Sequence, residues 1–435
     1  MNKLTAAWLM LLSTVAFGAG FKLDVHGSRA TGMAGAVTSF IDDPSAIYYN
    51  PAGIAGRKGF GIQAGVTLVI PMLSFTHADD GDVTSSPLNV SPPPHAHITF
   101  GITDDLSIGI GVFSPFGAAG HWPADWEGRF KAIKSSLQTF DINPTIAYRL
   151  HPRLKLGLGY NAVRGTLVIE RGLNFVDSEG KVELGGGAWG FGWNAGLQVE
   201  IVENHLWFGA SFRSPVTMRF EGNAHFTNVP TEFGGRLKDQ PITGRVVLPT
   251  QANFGFSIKP TDNLRLALDA DYVEWSSFTD LTINFENPDL TVPLQKRWVD
   301  QVSVHVGGEF NPTKSVAVRL GFVYDPTPSP RYTLTPDLPD STRLKVTAGV
   351  GWQHESGFGV DLGYQFVVLT GADSFAPGFA GTYSGTAQVI GLTLTYRMPV
   401  AARAPPVEAV DPMVPAIDPL APAPAPTPVE TVPAT

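Results

Sequence analysis

The chain has 435 residues, a net charge of −9 and no cysteine. The missing cysteines exclude a disulfide framework and a thiolate metal site, and the acidic balance argues against a nucleic-acid footprint. Charged residues make up 16%, below the soluble average of about 25%, yet mean hydropathy is near zero. No apolar stretch reaches the roughly 18 residues a helical span requires. An apolar outside around a polar inside, as in a membrane barrel, suits both observations.

Met1 to Gly18 reads as a secretory signal, with Lys3 as the basic start and Leu4 to Phe17 as the apolar stretch. Ala16-Phe17-Gly18 sets small residues at both positions the signal peptidase reads, predicting cleavage before Ala19. As a membrane anchor the same stretch is too short to span.

Residues 19–58 do not alternate between apolar and polar side chains. They predict a short helix capped by Ser28 and running through Ala30, Met33, Ala34, Ala36 and Val37. Breaks follow at Asp42-Asp43-Pro44 and at Asn50-Pro51-Ala52-Gly53. A wide barrel has a lumen its own side chains do not fill, so this segment is expected to fold inside as a plug. A periplasmic tail is the alternative.

After residue 58, turn signals divide the chain into about fourteen strand-like segments. Short connections fall at Thr103-Asp104-Asp105, His151-Pro152-Arg153, Glu203-Asn204, Pro260-Thr261-Asp262, Asn311-Pro312-Thr313 and Glu355-Ser356-Gly357. Long ones are expected near 71–94, 114–135, 172–186, 224–242, 286–296, 326–341 and 370–384. Tight turns at one end and long loops at the other are the rhythm of an outer-membrane barrel, and an even strand number puts both chain ends on the short-turn, periplasmic side. The fold class predicted is all-β, a 14-stranded antiparallel transmembrane β-barrel over 59–398, plugged by an N-terminal hatch over 19–58.

Within the segments, Leu154, Leu156, Leu158 and Tyr160 alternate with Lys155, Gly157, Gly159 and Asn161. Leu264, Leu266, Leu268 and Tyr272 alternate with Arg265, Asp269 and Asp271, and the stretches from Val316 and Phe358 repeat the pattern. A soluble sandwich shares this alternation. Segment length and the aromatics at segment ends (Tyr160, Tyr272, Trp275, Trp298, Tyr324, Trp352, Tyr396) favour the membrane, with those rings as interfacial girdles. Asp269, Asp271, His305, Glu309, Arg319 and Asp361 are then expected to face the lumen, either as a stiffening charge network or as ligand groups.

Asp42-Asp43-Pro44-Ser45-Ala46-Ile47-Tyr48-Tyr49-Asn50-Pro51-Ala52-Gly53 resembles the hatch motif of the FadL family of outer-membrane transporters, including its TodX-like branch. Further matches follow in family order. Ser114-Pro115-Phe116-Gly117 resembles the Pro-Phe-Gly after the third strand. Asp125-Trp126-Glu127-Gly128-Arg129-Phe130 resembles an Asp-Trp-x-Gly-Arg-Tyr loop. Glu274-Trp275-Ser276-Ser277-Phe278 resembles a Gln-Trp-Ser-Ser-Phe stretch. Tyr324-Asp325 with Leu338 to Arg343 resembles the late Tyr-Asp and Pro-Asp-x-x-Arg pair.

The resemblance covers roughly residues 19–398. It implies a hatch-plugged fourteen-stranded barrel that captures a hydrophobic molecule among its outer loops and releases it sideways through a gap at a kinked third strand. Long-chain fatty acids are the implied cargo, with aromatic hydrocarbons as the alternative in the same fold. Release into lipid is favoured by about 0.8 kcal/mol per buried CH₂, and the lipopolysaccharide layer is the barrier bypassed. On this reading Asn50, Pro51, Ala52 and Gly53 form the hatch turn, or simply a turn. Gly109 and Gly111, in a third strand over Leu106 to Phe113, supply the kink or are ordinary barrel glycines. Phe113, Phe116, Trp122, Trp126 and Phe130 line the capture groove or pack the 114–135 loop on itself. Arg129 meets a carboxylate headgroup or pairs with Asp125 or Glu127.

An enzyme is not expected, because no Ser-His arrangement stands out, nor a phosphate-binding loop. His95-Ala96-His97 beside Pro92-Pro93-Pro94 reads as a loop-to-strand junction rather than a metal site. No cofactor and no metal are expected. A general diffusion porin, the other function class, requires an open lumen. Expected partners are the hydrophobic ligand, outer-membrane lipid with lipopolysaccharide, and the barrel assembly machinery, around a monomer. The last strand closes on Tyr396-Arg397-Met398, and ten of residues 401–435 are proline. That tail is expected to be extended and able to reach on the order of 100 Å into the periplasm, toward a periplasmic partner or as a spacer.

Overall fold

The computed structural model describes residues 20–398. The expected signal segment with its cleavage before Ala19, and the proline-rich segment 399–435, lie outside the described residues.

Fourteen antiparallel strands close into one barrel. They are β1 (Gly59–His77), β2 (Pro94–Gly101), β3 (Leu106–Phe113 and Gly117–His121), β4 (Lys134–His151), β5 (Leu154–Asn174), β6 (Glu179–Val202) and β7 (Leu206–Arg213 and Val216–Thr227). Then follow β8 (Gln240–Leu248 and Gln251–Thr261), β9 (Leu264–Val273 and Asp280–Phe285), β10 (Val292–Gln295 and Gln301–Phe310), β11 (Val316–Asp325), β12 (Arg343–Gln353), β13 (Phe358–Ala376) and β14 (Phe379–Arg397). The ladder from Gly61↔Arg397 to His77↔Gly381 seals β1 onto β14, so neither is an exposed edge.

Over the lower part of the wall, on the side of the short turns, apolar side chains face outward. Leu158 is 53% and Leu320 64% exposed, whereas Asp269 is 3% and Arg319 5%. Apolar outside and charged inside is the reverse of a soluble sandwich and matches a wall facing lipid. Higher up the pattern inverts. On upper β7, Val216, Met218 and Phe220 are buried while Thr217, Arg219 and Glu221 are exposed.

Two expectations fail because of this inversion. Trp275 and Trp298 are not girdle residues: they are 1% and 4% exposed and pack inside the upper barrel. The exposed outward rings are instead Trp189, Phe191, Trp193, Tyr160 and Tyr324 toward the long-loop side, and Trp352 and Tyr396 beside the short turns. The connections expected near 172–186 and 370–384 are largely strand, since the ladders run to Asn174↔Glu179 and Ala376↔Phe379. Polar outward residues there leave the ladder intact and only move it out of the apolar layer.

Residues 20–58 contain no strand and lie within the barrel. The expected helix is short: α1 spans Ser28–Gly32, with Gly27 as its N-cap. Ser28 does not cap it; its hydroxyl bonds Thr393 Oγ1 on β14 at 2.9 Å. Ala34 (φ 57°) and Gly35 (φ 78°) turn the chain left-handed and end the helical course. A second helix, α2 (Ala46–Tyr49), precedes the Asn50–Gly53 turn.

Candidate functional site

The plug is bonded to the wall around most of its circumference. Thr67 on β1 donates to the Val25 carbonyl at 2.9 Å, and Gln198 on β6 donates to that of Ile41 at 3.0 Å. Asp269 on β9 accepts from Thr38 N–H at 2.9 Å, and Thr347 on β12 donates to the Gly32 carbonyl at 3.0 Å. On β10, His305 Nδ1 lies 2.6 Å from the Ala34 carbonyl.

Charge reinforces these bonds. Arg29 bridges Asp42 (2.7 Å), Asp43 (3.3 Å) and Glu309 (3.2 Å). Arg319 ties Glu309 to Asp361 at 2.7 and 2.6 Å. Lys22 pairs with Asp24 at 3.1 Å and with Asp271 on β9. Burial alone would push the Lys22 ammonium down; the two carboxylates outweigh it and hold its pKa above the ordinary value. The lumen-facing charges expected from the strand pattern thus serve largely to hold the plug.

The Asn50–Gly53 turn sits against β5 and β6. Asn50 Nδ2 donates to the Thr38 carbonyl at 2.7 Å and to the Leu197 carbonyl at 2.9 Å, and Asn50 Oδ1 accepts from Ala52 N–H at 3.2 Å. Pro51 begins a 3-10 turn through Ala52 and Gly53 to Ile54, all buried. Wall glycines make this approach possible. A Cβ on Gly196 would stand 2.0 Å from Asn50 Oδ1, and one on Gly157 would stand 2.3 Å from the Pro51 carbonyl carbon.

The third strand is interrupted, but not at the expected glycines. Gly109 and Gly111 lie in regular ladders with both β2 and β4. Their missing side chains instead admit Ile47 of the plug, which a Cβ would meet at 2.8 and 3.0 Å. The break comes at 114–116. Phe113 pairs with Asp141 and Gly117 with Gln138, so three residues oppose two, as in a bulge. Above it, β3 has β4 as its one strand partner, and the β2–β3 ladder stops at Ala96↔Val112.

Pro92-Pro93-Pro94 explains the stop. These residues approach the position where β2 would have to continue beside Ser114 to Phe116, and proline has no N–H to donate. The freed edge of β3 is taken by the start of the plug: Leu23 N–H donates to the Pro115 carbonyl, and Gly117 N–H to that of Phe21, both at 2.9 Å. The result is a gap in the wall between β2 and upper β3, with the plug behind it.

The six aromatic and basic residues singled out near this loop do not form one groove. Phe113 lies at plug level, 5.2 Å from the Tyr48 ring and 5.8 Å from that of His97. Beside it burial pushes the His26 imidazole down to about 3, so the ring is neutral. Phe116 joins Phe21 (5.8 Å), which packs on Trp275 (4.7 Å) and Phe278 (5.3 Å), while Trp298 closes on Trp275 (5.1 Å). Trp122 and Trp126 stack at 4.5 Å in a separate outer cluster with Phe75 and Tyr383. Phe130 is half-buried beside Gly172.

Arg129 is committed elsewhere than expected. It forks Glu179 at 2.7 and 3.0 Å, in place of pairing with Asp125 or Glu127. Arg129→Ala is therefore expected to change ligand uptake less than about twofold, since an exposed pair of this kind contributes little; a larger loss in an uptake assay would contradict this placement. Sequence reasoning missed Phe21, Met218 and Phe220, which line the upper apolar lumen with Trp275 and Trp298. The signal for Met218 and Phe220 was available in upper β7, where apolar residues alternate with Thr217, Arg219 and Glu221 after the Ser214-Pro215 break.

The comparisons with known proteins agree with this architecture. The long-chain fatty acid transport protein of Escherichia coli O6:H1 is 26% identical over 406 residues, covering 83% of this chain and 90% of that protein. Outer membrane protein P1 of Haemophilus influenzae is 24% identical over 84% of this chain and 89% of that protein. Among solved structures, a Pseudomonas aeruginosa FadL homologue superposes with TM-score 0.80 at 20% identity over 87% of this chain and 99% of that chain. The Pseudomonas putida toluene transporter TodX gives 0.71 at 16% identity over 87% and 100%. Residues 9–398 match the family described as outer membrane protein transport protein (OMPP1/FadL/TodX), and the chain belongs to that family of outer-membrane transporters of hydrophobic compounds.

Proposed function

We propose that this transporter takes up long-chain fatty acids and releases them sideways, through the gap between β2 and upper β3, into the membrane. The observation carrying this reading is that gap, backed by the plug and adjoining the apolar upper lumen. Asn50, Pro51, Ala52 and Gly53 act as the hatch turn, and the interruption at Ser114–Phe116 takes the role first assigned to Gly109 and Gly111. Phe116, with Trp275, Trp298 and Phe21, offers the acyl chain an apolar surface; Phe113 stands at the level of release. Trp122, Trp126 and Phe130 support the outer loop rather than the path.

Polar groups beside the gap favour a carboxylic acid over a plain hydrocarbon. Both ring nitrogens of His97, His95 Nδ1 and the hydroxyls of Ser91 and Ser114 are buried without a hydrogen-bond partner among the described residues. Such groups cost free energy until paired. A carboxyl group can pair with them, and toluene cannot. Aromatic hydrocarbon transport is the second reading, resting on the apolar upper lumen; the plug opposes a general porin.

The test is uptake of radiolabelled oleate and of toluene by cells lacking their own transporter. Saturable oleate uptake, reduced by His97→Phe, supports the reading. Toluene uptake alone, indifferent to His97→Phe, overturns the assignment to fatty acids.

A further inference from the structure

A concavity of about 570 Å³ opens on the outer side of the upper wall, lined by Arg219, Glu221, Arg245 and Asp280 among others, with Phe220 and Phe278 at its floor. It lies where the β8–β9 ladder is open, between the Gly244↔Ile283 and Gln251↔Val273 pairs. Arg219 and Arg245 stand directly opposite each other on β7 and β8. Both are exposed, and neither has an ion pair or side-chain hydrogen bond among the described residues. Like charges directly across a strand pair destabilise it, so their placement calls for an anion between them. Glu221 and Asp280 do not supply it: neither forms an ion pair with these arginines, and Asp280 accepts from Thr282.

Height on the wall identifies the anion. Trp189 tops the outward apolar series on β6, with Phe191 and Trp193 below it, all exposed. Amphipathic rings of this kind sit at headgroup level. Arg164 on β5 is the direct partner of Trp189, its guanidinium 5.8 Å from the ring. The Glu221↔Gly187 pair sets Arg219 two residues lower on β7, level with Trp189. Below the arginines the outward wall is apolar, with Phe254 and Phe256 exposed. Acyl chains fit below and phosphates at the arginines, which fork phosphate bidentately.

We propose that Arg219 and Arg245, flanked by Arg164, bind a phosphate of lipid A in the outer leaflet. The proposal rests on the outer-membrane location and not on which cargo the barrel carries. Binding of three probes would be compared between the full-length protein and Arg219→Gln/Arg245→Gln: bisphosphorylated lipid A, dephosphorylated lipid A and inorganic phosphate. Heat-modifiable electrophoretic mobility reports folding, and the two single variants carry the same comparison if the double variant does not fold. The expected result is at least about tenfold weaker binding of bisphosphorylated lipid A by the double variant, as for loss of charge-assisted hydrogen bonds. Dephosphorylated lipid A should bind both proteins alike, and oleate uptake should be unchanged. Equal affinity of both proteins for bisphosphorylated lipid A would overturn the proposal. Displacement of that lipid by millimolar phosphate would reassign the site to a soluble anion and overturn it too.

Discussion

Deleting Pro115 is expected to lower oleate uptake by at least about tenfold while leaving a folded barrel, because it removes the extra residue of a bulge. Residues 114–116 face two residues of β4 between the Phe113↔Asp141 and Gly117↔Gln138 pairs. Two against two restores one continuous register, and upper β3 then rises in line with its lower half. The edge now held by Phe21 and Leu23 would be drawn back toward β2, and the gap would narrow. Surface expression and heat-modifiable mobility should match the unaltered protein. Undiminished uptake by a correctly folded deletion variant would show that the interruption is not the exit.

Arg29→Ala is expected to loosen the hatch. Arg29 faces Asp42, Asp43 and Glu309 together, and its side chain is largely buried. Of these three carboxylates only Asp43 loses its cationic partner, which costs about 1–3 kcal/mol. Asp42 keeps Arg57, Asp43 keeps its bonds to Ser45, and Glu309 keeps Arg319, so the loss should open the plug rather than unfold the barrel. The readout is nitrocefin hydrolysis by a periplasmic β-lactamase in intact cells. Influx several times faster than in unaltered cells is expected, about fivefold or more for a shift of this size, with Arg29→Lys intermediate. Unchanged influx would mean that the plug is held by its backbone bonds and wall packing alone.

Much of this fold was legible because each turn carries its own chemistry. Asp104, Pro152, Asn204, Pro312 and Gly357 mark tight connections, and Leu-x-Leu alternation marks a lipid-facing strand whatever its neighbours do. What lay beyond reach depended on height above the membrane. Trp275 looks like an interfacial ring in sequence, but it lies past the level where inside and outside exchange polarity, so the same ring points into the core. Gly109 and Gly111 suggested a kink through backbone freedom, yet there the missing side chain serves close approach by Ile47. The cause of the break was present in Pro92-Pro93-Pro94, which starves the neighbouring strand of donors, but its effect falls on a strand that only register brings alongside. Phe113, Phe116, Trp122 and Trp126 are close in the chain and were read together. The interruption at 114–116 sends Phe116 to the upper lumen, leaves Phe113 at the plug and puts the two tryptophans in an outer cluster.

The central claim is that cargo leaves through the side of the barrel. A photoreactive oleate analogue, cross-linked during uptake in intact cells and mapped by mass spectrometry, tests it most directly. Adducts on Phe113, Ser114, Phe116 and His97, at the gap between β2 and β3, are predicted. Adducts concentrated instead on Arg29, Glu309, Asp361 and Arg397, which line the cavity of about 170 Å³ beneath the plug, would mean passage straight through into the periplasm and would contradict lateral release.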